Sequence, residues 1–489
     1  MNAPGGASFS IRPHRAPEAD WAVFEPQGQR DPVNVCTVEV VGAGYVGLVT
    51  AACLASLGHS VQCVDVDRER VERLSQGDVP FVEPRLQELV RDGLTTGRLR
   101  FRAEVVAGSH RADMVLIAVG TLDGSGEWTD RHVEAVLRIL LAAADVPPLL
   151  VIRSTLRPGR MERLNRLVEE SGHPTTLLIH PEFTKEGSAV ADFLAPDRIV
   201  VGIPRGADDS VADPLRRLYA SVPAPFLVVD HASAEMIKIG ANAFLATKIT
   251  FANELAQFCK AVGADMGAVR AGLALDPRIG GLFLRTGPGF GGSCLPSQVD
   301  LLSLMSSELG LGAELMPAVK RFNDRQPAAI AEELLSDTLP PRSIAVLGLA
   351  FKAGTDDLRE SPALKLIDAL LGNGVEQIAA YDPVVSELGS RPAVRIATSV
   401  EAAVQGADVA VVMTEWPEFV AIDWRQVGGG MRRRDVFDAR GILDPSRPDL
   451  AGFRFRSLER HSTVLVGAAE EIAEEVGEEI GEEIAAVPW

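Results

Sequence analysis

A glycine-rich turn near the start of the chain constrains the fold more than any other feature. The segment 37–67 reads as a β-branched strand, a turn, an alanine- and leucine-rich helix and a second strand. The turn holds Gly42, Gly44 and Gly47, and the second strand ends in Asp65. A preceding strand, a following helix and an acid about twenty residues on complete the dinucleotide-binding fingerprint. Asp65 would accept from a ribose diol and repel a 2′-phosphate, which favours NAD over NADP.

The residues of this turn have separate predicted roles. Gly42 allows the tight turn, Gly44 lets the backbone approach a pyrophosphate, and Gly47 lets helix and strand pack closely. The helix begins at Tyr45 and Val46, and its unpaired N–H groups would face the phosphates. The alternative is a structural turn that binds no ligand.

A second stretch of the chain has the same plan. Residues 342–383 again run strand, glycine, helix, strand and aspartate, and the segment 407–416 resembles 112–121 in pattern. We predict an α/β protein with two doubly wound Rossmann-like domains joined by a long central helix. The second domain lacks a GxGxxG pattern, so it binds something other than a dinucleotide, or nothing.

The segment 231–273 is predicted as that central helix. It contains no proline and is rich in alanine, leucine and isoleucine, so a helix that is apolar on several sides would connect domains and form a subunit interface. Lys238 and Asn242 are four residues apart and would project from one face of it.

These patterns divide the chain into five parts. They are a flexible arm (1–34), an NAD-binding Rossmann domain (35–230), a helical dimerisation domain with a cysteine segment (231–325), a second Rossmann-like domain (326–466) and an acidic tail (467–489). The tail is rich in paired glutamates, so we expect it to be solvated rather than to form a partner helix.

Composition excludes several functional classes. The net charge of −19 argues against nucleic acid as a partner, although a local pocket can still be positive. No apolar run approaches the ~18 residues of a membrane span. Five scattered cysteines without a CxxC pair indicate a reducing compartment, and hence the cytoplasm, rather than a disulfide scaffold. No metal site is predicted.

Once the glycine-flanked cysteine of GPGFGGSCLPSQ (287–298) is added, the motifs resemble those of a known family. Seven of them occur in the order found in nucleotide-sugar 6-dehydrogenases, the UDP-glucose and GDP-mannose dehydrogenases. They are GAGYVGL (42–48), HPEFTKEG (180–187), AEMIKIGANAFLATKITFANE (234–254), DPRIG (276–280), GFGGSC (289–294), GLAFKAGTDDLRESPA (348–363) and FDARGILDP (437–445). The resemblance covers roughly residues 36–460 and is greatest to the branch that oxidises UDP-glucose.

The resemblance implies a four-electron oxidation of a primary alcohol to a carboxylate with two NAD, here UDP-glucose to UDP-glucuronate. Cys294 matches the nucleophile, which would form a thiohemiacetal with the intermediate aldehyde and then a thioester that water hydrolyses. Gly291 and Gly292 would let the sugar approach the backbone and leave the sulfur uncovered. Cys53, Cys63 and Cys259 are interpreted as small buried apolar residues.

The resemblance also assigns roles around that chemistry. Lys238 matches a lysine that stabilises the developing oxyanion, and Asn242 matches a hydrogen-bonding partner of the same region. Glu186 matches the base for thioester hydrolysis, which would benefit from a raised pKa, and Glu182 matches an acid in substrate contact or proton handling. Thr155 matches a threonine that orients the water.

Further residues are matched to ligand binding. Arg278 and Arg440 resemble arginines that hold the nucleotide-sugar, and Arg278 would reach into a neighbouring subunit, so at least a homodimer is expected. The other matched residues are Phe183, Lys185, Phe290, Gly291 and Lys352 for the substrate, and Thr121 and Arg359 for the cofactor.

The sequence departs from the family pattern just after the cysteine. Ser297 and Gln298 stand where the family has lysine and aspartate, and Asp300 would point elsewhere on a helix. His180 and Leu122 replace the usual asparagine and proline.

Three hypotheses fit these departures. The first is an active UDP-glucose dehydrogenase with altered NAD affinity. The second is a dehydrogenase of another nucleotide-sugar or nucleoside-linked alcohol, which either completes the oxidation or stops at the aldehyde. The third is a binding paralogue without turnover. Retention of the matched catalytic residues speaks against the third.

Overall fold

The computed structural model describes residues 23–24, 35–104, 112–123, 126–389, 391–460 and 463–464. The chain divides into two compact units. The first comprises Met1–Val79, Arg85–Lys185 and Ala189–Lys238, and the second comprises Pro80–Pro84, Glu186–Ser188 and Ile239–Trp489. Two short stretches from the first half of the chain therefore belong to the second unit.

The first unit is built on a sheet that has nine strands within the described residues. They are β1 (Val23–Phe24), β2 (Thr37–Val41), β3 (Ser60–Val64), β4 (Leu99–Arg102), β5 (Met114–Ile117), β6 (Leu149–Ile152), β7 (Thr176–Ile179), β8 (Ile199–Ile203) and β9 (Phe226–Asp230). Their order is β1-β9-β8-β7-β6-β5-β2-β3-β4. The run from β2 to β7 is parallel and, counted from β2, has the order 3-2-1-4-5-6 of a Rossmann fold.

Helices cover both faces of this sheet, and its central strands are therefore continuous apolar runs. Strands β5 (MVLI) and β6 (LLVI) are buried at every residue. The helices are α1 (Tyr45–Ser56), α2 (Arg68–Ser75), α3 (Leu86–Thr95), α4 (Arg131–Leu141), α5 (Arg160–Ser171), α6 (Ala189–Leu194) and α7 (Asp213–Leu218), with a 3₁₀ turn at Asp209–Ala212. One core cluster packs α4 and α5 against β5, β6 and β7.

The central segment forms two helices rather than the single one expected over 231–273. Helix α8 (His231–Val262) ends where Gly263 takes a left-handed φ of 75°. Helix α9 (Met266–Ala274) then begins with Asp265 as its N-cap, which accepts from the backbone N–H of Ala268. A glycine stop followed by an aspartate cap is a helix break that absence of proline does not reveal.

The second unit repeats the doubly wound plan. Its strands are β10 (Ser343–Leu347), β11 (Gln377–Tyr381), β12 (Val394–Ile396), β13 (Val409–Val412), β14 (Asp435–Asp438), β15 (Arg454–Ser457) and β16 (Thr463–Val464), in the order β12-β11-β10-β13-β14-β15-β16. Among the described strands of this second sheet, only β15 and β16 pair in antiparallel fashion. The predicted fold class, two Rossmann-like domains with a long central helix, is confirmed.

The described part of the second unit contains six helices in addition to α9 and the part of α8 that follows Lys238. They are α10 (Cys294–Glu308), α11 (Leu315–Leu335), α12 (Pro362–Gly372), α13 (Val400–Val404), α14 (Pro417–Val420) and α15 (Trp424–Val427), with 3₁₀ turns at Gly428–Gly430 and Pro448–Leu450. None of the helices described is long and apolar enough to cross a membrane.

Both predicted terminal segments lie largely outside the described residues. Within the arm (1–34), only Val23–Phe24 is described, as a strand antiparallel to β9. The acidic tail (467–489) lies entirely outside the described residues. The five-part division of the chain stays a prediction.

Candidate active site

The glycine turn after β2 has two positions closed to side chains and one that is open. A Cβ on Gly42, whose φ is 104°, would lie 2.4 Å from the carbonyl oxygen of Ala118. A Cβ on Gly47 would lie 1.8 Å from the carbonyl oxygen of Gly42. Around Gly44, no atom of the described residues lies within 4 Å of such a Cβ. The turn is therefore packed on its protein side and open at Gly44, as a cradle for a pyrophosphate requires.

Asp65 fixes the same turn from the end of β3. Its Oδ2 accepts from the backbone N–H of Ala43 at 2.6 Å, and its Oδ1 accepts from that of Asp67 at 2.9 Å. Arg70 donates to Oδ2 at 3.2 Å. An ionised carboxylate offers about four acceptor positions, so capacity remains for a ribose hydroxyl.

Tyr45, Val46 and Thr121 lie near the carboxyl ends of the parallel strands. Tyr45 and Val46 open α1, whose N-cap is Gly44. Thr121 follows β5, and its carbonyl accepts from the N–H of Thr129. All three are half-buried. Leu122, next to Thr121, pairs with Trp128 in an isolated antiparallel bridge.

A buried ion pair joins Lys238 on α8 to Glu182. The Lys238 Nζ lies 2.8 Å from Glu182 Oε1, and the two residues are 3% and 5% exposed. Glu182 Oε2 also accepts from the backbone N–H and the hydroxyl of Thr184. Burial opposes ionisation of Glu182, but the charge of Lys238 and these hydrogen bonds outweigh it and lower its pKa. Glu182 therefore stays a carboxylate, and two N–H donors of the lysine remain for other acceptors.

An aromatic ring lies beside this pair. The ring of Phe183 lies 5.5 Å from Lys238 Nζ and 4.0 Å from the guanidinium of Arg198. Lys185 instead pairs with Asp192 at 3.0 Å and is more than half exposed.

Glu235, which the sequence reasoning missed, fixes the loop that carries Thr155. Thr155 lies in the loop between β6 and α5. From α8, the Glu235 carboxylate accepts from the N–H groups of Gly159 at 2.7 Å and Met161 at 3.0 Å. Burial raises the pKa of Glu235 to about 7. Glu235 lies one turn before Lys238 on α8. Its hydrogen bonds to Gly159 and Met161 therefore also hold the start of α8 in place.

Glu186 belongs to the second unit and lies beside Arg359. Arg359 Nη2 is 3.2 Å from Glu186 Oε1, and the same guanidinium grips both oxygens of Asp357 at 2.7–3.0 Å. Burial and the charge of Asp357 raise the pKa of Glu186 to about 7, against the opposing charges of Arg359 and Lys352. The pKa of about 7 is what the expected role of base requires, because such a carboxyl both takes and gives protons near neutrality.

Short stretches of the first half of the chain hold Glu186 in place. The backbone N–H of Gly187 donates to Glu83 Oε2 at 2.6 Å, and that of Val82 donates to Asp356 Oδ1 at 3.2 Å. A Cβ on Gly187 would meet the carbonyl of Gly354 at 3.0 Å.

Cys294 is exposed and is the first residue of α10. A thiolate at a helix N-terminus is stabilised by the helix dipole, and the charges of Cys294 and Arg359 interact. The other cysteines, Cys36, Cys53, Cys63 and Cys259, are buried, which agrees with the expectation for the last three.

The glycines before Cys294 pack against protein, which differs from the expectation that they make room for a sugar. A Cβ on Gly291 would lie 2.4 Å from the carbonyl oxygen of Glu360, and one on Gly292 would lie 3.0 Å from the ring of Phe351. Gly292 also has a φ of 77°. Close packing and a left-handed backbone therefore account for these two glycines.

Arg440 and its neighbours lie at the point where strand order reverses in the second sheet. Arg440 follows β14 and donates to the carbonyls of Met413 at 3.0 Å and Phe351 at 2.9 Å. Lys352 Nζ lies 5.7 Å from the ring of Phe351. Ligands of open α/β sheets bind at such switch points.

The remaining predicted residues lie in different settings. Phe290 is buried in a small core, and its backbone exchanges two hydrogen bonds with Asn323. Asn242 is half-buried on α8, one turn after Lys238. Arg278 is mostly exposed and pairs with Asp276 at 2.6 Å.

Three family models match consecutive parts of the chain. All describe the UDP-glucose/GDP-mannose dehydrogenase family: its NAD binding domain matches residues 36–223, its central domain 232–325 and its UDP binding domain 345–445. The chain belongs to this family. It is therefore an NAD-dependent nucleotide-sugar dehydrogenase, and the open cradle at Gly44 fits that cofactor.

Relatives of this dehydrogenase match it along most of its length. UDP-glucose 6-dehydrogenase of Pseudomonas aeruginosa is 40% identical over 448 residues, which cover 86% of this chain and 97% of the relative. Among solved structures, a UDP-glucose dehydrogenase from Pyrobaculum islandicum has a TM-score of 0.76 at 33% identity, covering 90% of this chain and all of the other. A UDP-D-ManNAc dehydrogenase from Pyrococcus horikoshii has a TM-score of 0.75 at 29% identity, covering 86% and 99%.

The departures of this dehydrogenase from the family pattern have distinct structural settings. Ser297 donates to the carbonyls of Ser293 and Cys294, and so takes part in the first turn of α10. Gln298 is 2% exposed, and its buried Oε1 finds no partner among the described residues. Asp300 is exposed and pairs with Lys320 at 3.2 Å, so it does not replace the missing acid.

His180 is a buried, neutral histidine in this dehydrogenase. Its Nδ1 donates to the carbonyl of Val200 at 2.8 Å, so Nε2 carries the lone pair. Burial, with the charge of Arg153, holds its pKa well below the usual value. Within the part of the chain described, no group of three or more His, Cys, Asp or Glu side chains is placed to hold a metal ion.

Proposed function

We propose that this dehydrogenase oxidises the C6 hydroxyl of UDP-glucose to the carboxylate of UDP-glucuronate through a thioester on Cys294. The observation that carries the proposal is an exposed thiol on the first turn of α10 that interacts with Arg359, which also contacts Glu186. The relatives named as UDP-glucose dehydrogenases support the choice of sugar nucleotide.

Each matched residue has a chemical task in this reaction. When bound, NAD accepts the hydride from C6 in each of the two oxidations. Lys238, buried and oriented by Glu182, donates to the C6 oxygen and stabilises its negative charge. Cys294 attacks the aldehyde, and after the second oxidation its thioester is hydrolysed by water that Glu186 deprotonates.

The second sheet is the proposed site of the UDP moiety. Asp382, at the end of β11, holds the position that Asp65 holds in the first sheet, but all its acceptor capacity is used within the protein. It accepts from the N–H groups of Leu349, Ala350, Val384 and Val385. A dinucleotide ribose would find no acceptor there, whereas Arg440 at the switch point supplies a cation for a phosphate.

The stoichiometry of NADH tests this proposal. Purified protein is incubated with NAD and UDP-glucose, GDP-mannose or UDP-ManNAc, and NADH and sugar product are counted. We expect two NADH per UDP-glucose and one UDP-glucuronate. No NADH with any of the three sugar nucleotides refutes the enzyme assignment, and turnover restricted to another sugar refutes the substrate.

A second candidate is a dehydrogenase that stops at the aldehyde. It is favoured by Gln298, because a neutral amide cannot supply the charge of the aspartate that the family has there. One NADH per sugar, with an aldehyde trapped by hydroxylamine, would identify this outcome.

The proposed assembly is a homodimer formed through α8. Phe244, Phe251 and Phe258 are 65%, 51% and 65% exposed, and their spacing of seven residues aligns them on one side of the helix. A second copy related by a twofold axis would present the same aromatic row and cover this one. Sedimentation should give a dimer that Phe251→Glu weakens and the exposed control Glu170→Gln does not; a monomeric native protein would refute the assembly.

We place the protein in a reducing compartment such as the cytoplasm. Exposure of Cys294 supports this proposal, because oxidation of an exposed catalytic thiol would stop turnover.

A further inference from the structure

The carboxyl group of Glu186 has a second carboxyl group beside it. Asp357 is bound by Arg359, two residues further along the chain, and the same guanidinium also contacts Glu186. Arg359 lies between the two acids, with Nη2 2.7 Å from Asp357 Oδ2 and 3.2 Å from Glu186 Oε1. The backbone N–H of Arg359 also donates to Asp357 Oδ1, so the aspartate is held from two sides.

The geometry makes the two acids unequal. Asp357 is bidentate to the guanidinium, whereas Glu186 has a single, longer contact to it. Burial opposes ionisation of both, but hydrogen bonds from Arg359 lower the pKa of Asp357. Like charges at this range cannot both ionise freely, so the proton settles on Glu186. The charge of Lys352 also acts on Glu186, and the charges of Cys294 and the same Arg359 interact.

We propose that Asp357 is a positioning residue for thioester hydrolysis, which holds Glu186 against Arg359 and keeps it able to carry a proton at neutral pH. This inference rests on the proposed function, because it concerns the step that releases the product from Cys294.

The hydrolysis step balances with Glu186 as its only proton carrier. The oxygen of water attacks the thioester carbon while the Glu186 carboxylate takes one proton of that water. When the tetrahedral intermediate collapses, the C–S bond breaks and the electron pair leaves with sulfur. Glu186 then gives its proton to the Cys294 thiolate, which restores the carboxylate and the thiol. A carboxylate whose acid has an ordinary pKa of about 4.3 would be a weak base toward water, whereas a group with a pKa near 7 is a stronger base and still protonates a thiolate, whose free thiol has a pKa of about 8.5.

Asp357→Asn tests the inference, with Asp356→Asn as a matched control. Both substitutions remove one carboxylate from the same loop. The Asp356 carboxylate, however, accepts a hydrogen bond from the backbone N–H of Val82. Asp357→Asn removes a negative charge that opposes ionisation of Glu186, and it leaves Arg359 to pair with Glu186 alone. Both effects lower the pKa of Glu186. In single-turnover experiments from pH 5 to 9, we expect the acid limb of thioester hydrolysis to move down by about one pH unit in Asp357→Asn. It should stay in place in Asp356→Asn.

A merely structural role for Asp357 would lower the hydrolysis rate equally at every pH, with the limb unmoved, and would overturn the inference. The infrared band of a protonated carboxyl gives a readout that needs no turnover. Glu235 also has a pKa of about 7, so the band of Glu186 is isolated by subtracting the spectrum of Glu186→Gln. In that difference spectrum it should titrate near pH 7, and it should titrate at lower pH when both proteins also carry Asp357→Asn. Absence of that band in the native protein overturns the inference even if UDP-glucose is oxidised. A band that shifts as expected in a protein that oxidises no sugar overturns the proposed function, and the hydrolysis role with it.

Discussion

Glu182→Gln would leave the buried ammonium of Lys238 without its counter-ion. The amide has one oxygen where the carboxylate has two, so it cannot accept from both Lys238 and Thr184, which bind opposite oxygens of Glu182. Breaking a buried ion pair by removing one partner costs about 3–5 kcal/mol, because the remaining charge is uncompensated. At 2–4 °C per kcal/mol, Tm should fall by roughly 6–20 °C.

A double variant separates this charge effect from lost packing. The double variant Glu182→Gln/Lys238→Met removes the stranded charge, so it should unfold at a higher temperature than Glu182→Gln alone. The exposed control Glu170→Gln should change stability by less than about 0.5 kcal/mol. Scanning calorimetry or fluorescence-detected melting of the four proteins gives the comparison.

The pH dependence of the Tm difference tests whether Lys238 depends on the charge of Glu182. The pKa of Glu182 is lowered in the folded protein, so its contribution is complete above the unfolded pKa and is lost as pH falls through the folded value. The Tm difference between native protein and Glu182→Gln should therefore be largest near neutral pH and shrink under acid conditions. A difference below about 1 °C at pH 7 would show that Lys238 does not depend on Glu182, contrary to the buried 2.8 Å contact.

Three further changes test other parts of the structure. Gly47→Ala places a Cβ 1.8 Å from the carbonyl oxygen of Gly42, so NAD affinity measured by fluorescence titration should fall at least about tenfold; unchanged affinity would contradict the packed turn. Cys294→Ala removes the nucleophile while keeping the first oxidation, so at most one NADH should form per sugar, and two would exclude the thioester route. Gly291→Ala forces apart a buried contact with the carbonyl of Glu360, so Tm should fall by several degrees, and an unchanged Tm would contradict that contact.

The fold was predictable because its signals are local. The turn at Gly42, the strand that ends before Asp65 and the repeated plan after Ser343 are each contained in about thirty residues, and the structure has each of them. The break at Gly263 was missed because the apolar pattern continues across it and only the cap at Asp265 marks it.

The residues that shift the pKa values of the predicted acids and bases, or hold their loops in place, could not be predicted from the spacing of residues in the sequence. Arg359 contacts Glu186 across 173 positions of sequence, and Glu235 contacts Gly159 across 76. No local pattern encodes such pairings, so Asp357 and Glu235 were overlooked although both are close to predicted site residues. The packing of Gly291 on Glu360 escaped notice for the same reason.

The assignment of Glu186–Ser188 and Pro80–Pro84 to the second unit limits how this family can be recombined. A chimaera cut at the start of α8 would join a foreign carboxyl-terminal half to this pair of stretches. Gly187 would keep its bond to Glu83, but Val82 would face whatever residue the donor has in place of Asp356. Glu186 would likewise face the donor's residues in place of Asp357 and Arg359, so exchanging halves to change the sugar nucleotide would also alter the proton chemistry of Glu186, unless both stretches are exchanged together with the half that surrounds them.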